Sequence, residues 1–319
     1  MNINVRLHMR RLFIAALLLV TAGALHAQAG DPDQEALQRA AMDALIAAPA
    51  ERALPLARKV LEGDYSEALK ERALFVLSQI DMPEAREALV AAARTGEGEL
   101  RREAVRMIGI GGDEAALDEL KTLYAGGDAE MRESVLEAYL IAGDEDAVYD
   151  LAANATSPEE FEAAVRILGA MGATGQLSQL RDKAGASEEW IHALAISGEA
   201  ETLKELALDG SDPRRQLAAI QGLGIVGGDD VEQTLVDVYR NAGSDEVREA
   251  ALQGLLIAGH DEGVVELYRA STDPAEKKEL LQYLVMMDSD AVWELIDNAL
   301  GGNPLGGNPR GGNPPGENP

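Results

Sequence analysis

Hydrophobic residues recur along the chain in a register of about thirty residues, and each recurrence leads up to a Gly or Asp that we call the hinge. A large hydrophobic residue lies four positions before each hinge, and a mostly small residue lies eight positions before it. Pro49, preceded by Leu45 and Ala41, extends the series to a ninth unit. A repeat of this length is typical of stacked helix pairs. The other hinges are Asp81, Gly112, Gly143, Gly172, Gly198, Gly227, Gly259 and Asp288.

Each unit carries two apolar stripes of helical spacing that are separated by its hinge. In residues 98–128 the first stripe includes Leu100 and Ile108, and the second includes Leu117 and Leu123. This spacing predicts two short amphipathic helices, joined where glycine permits the left-handed conformation that ends a helix. Helix starts are marked by a capping residue before a proline, with a capping box expected for Ser157 and Asp273. These pairs are Ser157-Pro158, Asp212-Pro213 and Asp273-Pro274, and the box partners are Glu160 and Glu276.

Residues 100–120, 161–172 and 245–259 resemble short HEAT-like repeats, in the form first associated with phycobilin lyases. The resemblance extends over about residues 33–300. It implies an all-α fold, a right-handed superhelical α-solenoid of about nine stacked antiparallel helix pairs. Such arrays host lyases, hydroxylases, adaptors and scaffolds, so the resemblance implies architecture more strongly than activity.

The two ends of the chain differ from the repeats. Residues 1–29 have three arginines, an apolar run over residues 12–20 and cleavage sites near Ala27 or Ala29, which predicts a secretory signal peptide. We therefore expect a bacterial periplasmic or secreted protein. The alternatives are a twin-arginine signal at Arg10 and Arg11 and an uncleaved anchor. Residues 301–319 repeat Gly, Asn and Pro without an apolar stripe, which predicts a disordered tail.

The charge of the chain narrows the class of partner. The formal net charge is −28, and removal of the signal arginines takes it to −31. Because such a surface repels phosphates and anionic headgroups, we expect no nucleic-acid partner and no stable membrane insertion after signal cleavage. A protein or peptide partner, basic in character, suits the charge. The chain has no cysteine, which leaves no disulfide and no thiolate metal site.

One segment, residues 160–227, departs from the repeat register. The hinge interval shortens to 26 residues at Gly198, and Trp190 occupies a position that is usually small. A basic residue lies eleven positions before the hinge in five units. In the three central units we align Glu162, Ser187 and Gln216 with this basic position. We take Trp190, His192, Glu162 and Gln216 as candidate binding residues, with interhelical packing or a bend as the alternative for Trp190.

Catalytic chemistry has little support in the sequence. The mature chain keeps only His192 and His260, 68 positions apart, and no HExxH spacing exists. The iron-binding His-Glu motifs of the related deoxyhypusine hydroxylase have no counterpart, so we predict no cofactor and no metal. The leading hypothesis is a non-catalytic protein-interaction scaffold in the bacterial envelope, and a bilin lyase-like enzyme is a remote alternative.

Acidic pairs directly after the hinges suggest a second alternative, a structural protein that binds or sequesters divalent cations. Examples are Asp113-Glu114, Asp144-Glu145 and Asp229-Asp230. These residues fall in the first turn of the second helix, where acids cap free N–H groups and meet the positive end of the helix dipole. Position alone therefore explains them, and no segment matches the calcium-loop pattern.

Overall fold

The computed structural model describes residues 32–185 and 187–300, and these residues form nineteen α-helices and no strand. The predicted all-α fold is confirmed. The predicted signal peptide (1–29) and tail (301–319) lie outside the described residues. The helices are α1 Pro32–Leu45, α2 Ala50–Glu62, α3 Glu67–Ser78, α4 Pro83–Thr95, α5 Gly98–Gly111, α6 Glu114–Gly126, α7 Ala129–Ala142, α8 Glu145–Asn154, α9 Pro158–Met171, α10 Thr174–Gln179, α11 Arg181–Ala184, α12 Glu188–Ser197, α13 Ala200–Leu208, α14 Pro213–Val226, α15 Asp229–Arg240, α16 Asp245–Ala258, α17 Asp261–Ala270, α18 Pro274–Met286 and α19 Asp290–Ala299.

Within each compact unit of the chain, the helices alternate between two layers, which we call A and B. The A helices precede the hinges and the B helices follow them, and α10 and α11 together occupy one B position, which gives the nine pairs expected. Among the described residues, the chain divides into two compact units that meet between residues 142 and 143. Within each unit, an A helix packs against the next A helix and against its neighbouring B helices, as in an α-solenoid. The A helices are α1, α3, α5, α7, α9, α12, α14, α16 and α18.

The two columns that define the repeat form the core of the A layer. Every residue four positions before a hinge from Asp81 to Asp288 is buried, as is every residue eight positions before it. The two columns lie on one face because they are four residues apart, which is little more than one helical turn. A small residue in the second column lets neighbouring helices approach. The fully buried small residues include Ala73, Ala104, Ala164, Ala219 and Ala251.

Glycine is favoured at six of the hinges because the chain turns there in the left-handed region. Six hinge glycines have φ between 63° and 79°. Asp288 has φ 54° and is the only described non-glycine residue with positive φ. Aspartate tolerates this region better than most residues, since its side chain can hydrogen-bond locally. Asp81 does not adopt a positive φ, because α3 ends earlier through an αR residue, Gln79.

A second set of glycines lets adjacent A helices touch through their backbones. A Cβ added to Gly224 would lie 3.0 Å from the Cα of Gly254 on the next A helix. A Cβ added to Gly169 would lie 3.0 Å from the Cα of Ala193. Such contacts place neighbouring A helices at the close end of the roughly 8–10 Å range of helix packing.

The predicted N-caps are confirmed. The side chains of Ser157, Asp212 and Asp273 accept backbone N–H bonds in the first turns of α9, α14 and α18. The expected box partners also make contacts of their own, and the box itself stays a prediction. Glu160 accepts from the backbone N–H of Thr156, and Glu276 accepts from the hydroxyl of Tyr239 at 2.9 Å.

Candidate functional site

Trp190 lies in the core of the second unit. Its side chain is fully buried, and its indole Nε1 donates a hydrogen bond of 2.8 Å to the carbonyl oxygen of Leu177. A buried indole N–H needs a partner of this kind. The structure therefore agrees with the packing alternative for Trp190, and its side chain offers no surface to a partner in the folded protein.

The short hinge interval explains why a tryptophan occupies a position that is usually alanine. The B position that precedes α12 is broken at Leu180 into α10 and α11, which have only six and four residues. The end of a helix releases backbone carbonyls from the regular α-helical pattern. The carbonyl of Leu177 accepts from the N–H of Leu180 and from the indole of Trp190. The large ring occupies the layer where the B helix is shortest.

The basic residues that precede the hinges have a structural role. Arg132 lies 5.9 Å from the ring of Tyr124, and Lys277 lies 5.0 Å from the ring of Tyr268. Each aromatic ring belongs to the preceding B helix, and Arg132 also donates to the backbone carbonyl of Tyr124. A cation at a helix C-terminus meets the negative end of the helix dipole. Arg132, Lys277 and Arg248, which lies 5.9 Å from the ring of Tyr239, thus join their A helices to the preceding B helices.

The central units replace that cation with other contacts. Gln216 donates through Nε2 to the carbonyl of Ala207 at 2.9 Å, near the end of α13. Ser187 caps α12 by accepting from the N–H of Trp190. The residue eleven positions before Gly172 is the buried Phe161, and Glu162 is the half-buried residue that follows it. The departures from the register are therefore accounted for by packing.

The four predicted binding residues lie on three successive A helices, α9, α12 and α14, but they do not form one exposed site. Trp190 is buried, Glu162 is half-buried and Gln216 bonds the preceding B helix. His192 is exposed on α12. Binding by these residues stays a prediction, and His192 is the one whose side chain is open to solvent.

The acids that follow the hinges act as caps where the structure resolves their bonds. Asp113 accepts from the N–H of Ala116 at 2.9 Å, and Asp144 accepts from the N–H of Ala147 at 3.0 Å. Within residues 32–185 and 187–300, no cluster of three or more His, Asp or Glu side chains has the arrangement of a metal site. The described geometry thus gives the cation-binding alternative no specific site.

The B helices of the second unit form a groove that we call the acidic groove, with a volume of about 700 Å³. It is bordered by α15, α17 and α19, and Arg269 is the one basic side chain in its lining. Five of its six acids lie in the first turns of these helices, where the register places them after the hinge, and Glu266 lies one turn further along α17. Its six carboxylates are Asp229, Glu232, Asp261, Glu262, Glu266 and Asp290.

Two basic side chains near the groove form ion pairs with carboxylates on the next B helix. Lys204 pairs with Asp230 at 2.6 Å, and Arg240 pairs with Glu266 at 2.6 Å. The hydrogen bond from Lys204 lowers the pKa of Asp230. Four groove carboxylates form no ion pair with any residue that the structure describes, and the acidic groove therefore keeps a surplus of negative charge. These four are Asp229, Asp261, Glu262 and Asp290.

The A helices of the second unit carry an exposed apolar row that the sequence pattern did not reveal. Two positions before the hinge, Ile196, Ile225, Ile257 and Met286 are each between 52% and 64% exposed. A turn of 100° per residue points this position away from the buried column two residues earlier. The sequence does show that Ile or Met recurs at this position. However, the sequence alone does not tell whether a recurring apolar residue is exposed or belongs to the buried stripe.

An uncharged polar column runs beside that row. Six positions before the hinge, one helical turn from the apolar residue, the same four helices carry His192, Gln221, Gln253 and Gln282, all exposed. In the first unit the corresponding residues of α5 and α7 are charged, Arg106 and Glu137. Four successive helices therefore present an amide or imidazole beside an exposed apolar side chain, in a chain with twice as many acids as bases.

The comparisons with known proteins define the repeat class. A family model described as HEAT repeats matches residues 54–140, which confirms the resemblance over that segment. Human deoxyhypusine hydroxylase in complex with glycerol is 19% identical over 78% of this chain and 90% of that chain, with a TM-score of 0.34. The complex of CpcE and CpcF of phycocyanin lyase from Nostoc is 20% identical over 74% and 94%, with a TM-score of 0.33. No curated protein matches the sequence significantly.

The second unit repeats the helix-pair register of the HEAT-matched segment, with the same hinge and core columns. Each unit thus consists of helix pairs stacked as in an α-solenoid, and residues 54–140 match a model of HEAT repeats. None of the helices in the described part of the chain has the length and apolar character needed to cross a membrane.

Proposed function

We propose that the protein is a non-catalytic protein-interaction scaffold of the bacterial envelope, and that it binds a basic partner in the acidic groove. The observation that carries the proposal is the groove itself, where six carboxylates surround one guanidinium. A concave surface of one charge sign raises the local concentration of oppositely charged partners and speeds their association.

The fold supports a binding role because successive B helices repeat the same surface. HEAT and related solenoids use such extended surfaces to hold partners. A partner that presents several Lys or Arg side chains along an extended segment would meet carboxylates from three successive B helices, α15, α17 and α19. The envelope location rests on the predicted signal peptide in residues 1–29.

The test compares two variants that remove equal charge from equivalent helix positions. The groove variant is Asp261→Asn, Glu262→Gln and Asp290→Asn. The control variant is Glu51→Gln, Glu84→Gln and Glu114→Gln, which also lie in the first turns of B helices but in the first unit. Both variants keep the helix caps of the rest of the protein.

Each protein is immobilised and exposed to envelope extract at low ionic strength, where charge capture is strongest. We expect the groove variant to retain about tenfold less of the bound partner, because three contributions of about 0.5 kcal/mol each are sufficient for the roughly 1.4 kcal/mol of a tenfold change in affinity. The control variant should retain the wild-type amount. Equal loss in both variants would show nonspecific attraction to net charge, and no captured partner with any of the three proteins would refute the proposal.

A further inference from the structure

We propose that the A face of the second unit binds an extended basic peptide in the polyproline II conformation, with an apolar residue at every third position. The A face is defined by the apolar row Ile196, Ile225, Ile257 and Met286 and the polar column His192, Gln221, Gln253 and Gln282. This inference rests on the proposed scaffold function and assigns the conformation and residue pattern of a bound segment.

The distance between neighbouring A helices determines how often an apolar residue must recur along the bound peptide. Backbone contact between Gly224 and Gly254 holds neighbouring A helices close together, so the apolar residues recur at roughly 8–10 Å. A polyproline II segment rises about 3.1 Å per residue with three residues per turn, so every third side chain faces the same way at about 9.3 Å intervals. One apolar side chain can therefore contact each of the four helices.

The polar column distinguishes this segment from an amphipathic helix. A helix whose apolar residues recur every seven positions would have a spacing of about 10.5 Å, also near the helix repeat. However, a helix satisfies its own backbone N–H and C=O groups along its length. A polyproline II segment has no internal hydrogen bonds, so Gln221 and Gln282 can donate to its carbonyls and accept from its N–H groups. The side-chain amides thus favour the extended segment.

The charges at the borders of the A face indicate which residue types should occupy the other positions of the peptide. Exposed carboxylates border the face just after the hinges at Asp229 and Asp290, and on the A helices at Glu188 and Glu249, whereas the exposed Lys278 occupies the corresponding position of α18. Between these borders the two columns contain no carboxylate. We therefore expect apolar residues toward the row and Lys or Arg at the positions that project toward the borders.

The probe is a synthetic peptide of five Leu-Pro-Lys repeats, which favours polyproline II and places Leu at every third position. One control peptide has the same composition with the leucines clustered. A second is an amphipathic helical peptide of equal charge with a seven-residue leucine repeat. Binding of each peptide to the full-length protein is measured by calorimetry. The expected order is the Leu-Pro-Lys peptide first, with at least tenfold weaker binding of both controls.

Three variants locate the binding. Ile225→Ser with Ile257→Ser should weaken binding of the Leu-Pro-Lys peptide at least tenfold, because two exposed apolar contacts are lost. Gln221→Ala with Gln253→Ala should weaken it about fivefold. The matched control is Leu37→Ser with Leu56→Ser, two exposed leucines of the first unit, and it should bind like the wild type. Thermal denaturation checks that all three variants remain folded.

Several outcomes overturn the inference. These are unchanged binding in the isoleucine variant, preference for the helical peptide, equal binding of all peptides, and an isoleucine variant that abolishes only self-association of the protein. If the groove variant loses the envelope partner while the isoleucine variant binds the peptide normally, the scaffold function stands and the A-face assignment fails. If no envelope partner is captured but the Leu-Pro-Lys peptide binds as expected, the groove proposal fails and the A face remains a peptide-binding surface.

Discussion

The indole nitrogen of Trp190 donates a hydrogen bond to the backbone carbonyl of Leu177, across the layer where the B helix is broken. The largest fully buried side chain of the described core thus stands at the shortest repeat. The bond joins α12 to α10 and ties the A layer to the B layer. Trp190 therefore stabilises the fold. A partner that binds the surface of this unit would contact other side chains.

Replacement of Trp190 should lower the stability of the second unit strongly. Trp190→Ala removes a large buried ring and one of the hydrogen bonds to the carbonyl of Leu177, which should cost roughly 3–5 kcal/mol. His192→Ala, two residues along the same helix but exposed, should change the free energy of unfolding by less than about 0.5 kcal/mol. Urea denaturation followed by circular dichroism measures both. Similar denaturation midpoints for the two variants would contradict the core assignment.

Substitution of a hinge glycine should lower the stability of the protein, because these glycines have a left-handed backbone conformation. Gly259 has φ 76°, where a Cβ is unfavourable by roughly 1–2 kcal/mol, so Gly259→Ala should destabilise the protein by that amount. Gly243→Ala is the control, since Gly243 lies between helices without a positive φ and has open space around its Cα. Thermal denaturation distinguishes them. A neutral Gly259→Ala variant would show that the left-handed hinge is not needed.

Asp113 links the stability of the first unit to pH. The hydrogen bond from Arg86 is the largest cause that lowers the pKa of Asp113, and the N–H of Ala116 adds to it. Because the folded pKa lies below the unfolded value of about 3.9, this stabilisation is present above that pH and is lost as pH falls through the folded pKa. Asp113→Ala should cost about 0.5–2 kcal/mol at neutral pH, as expected for a lost N-cap.

The pH profile separates the two roles of Asp113. The difference between wild type and Asp113→Ala should shrink as the pH is lowered below about 4. Asp113→Asn keeps a side-chain oxygen for the cap and loses the ion pair with Arg86, so its deficit should be smaller. Chemical denaturation at a series of pH values gives these differences. A deficit that does not change with pH would mean that the charge of Asp113 contributes nothing.

The repeat register predicted the fold because it repeats a physical requirement in every unit. The residues four and eight positions before the hinge Gly227 had to be buried for a helix pair to stack, and Leu223 and Ala219 are buried. The role of Trp190 depended on the length of the facing B helix, which sequence spacing does not give. The repeat register also locates Ile225, two positions before its hinge. That its side chain is exposed follows only from the packing of the neighbouring helices.

Site-specific photocrosslinking tests the central claim most directly. A photoreactive residue is introduced at Gln233, a residue in the lining of the acidic groove, and at Gln34, an exposed residue of α1, as the control. In envelope extract at low salt, we predict that position 233 crosslinks to a basic protein and that the groove variant abolishes this product. Crosslinking of the same protein at both positions, or no crosslinked product at position 233, would contradict the account.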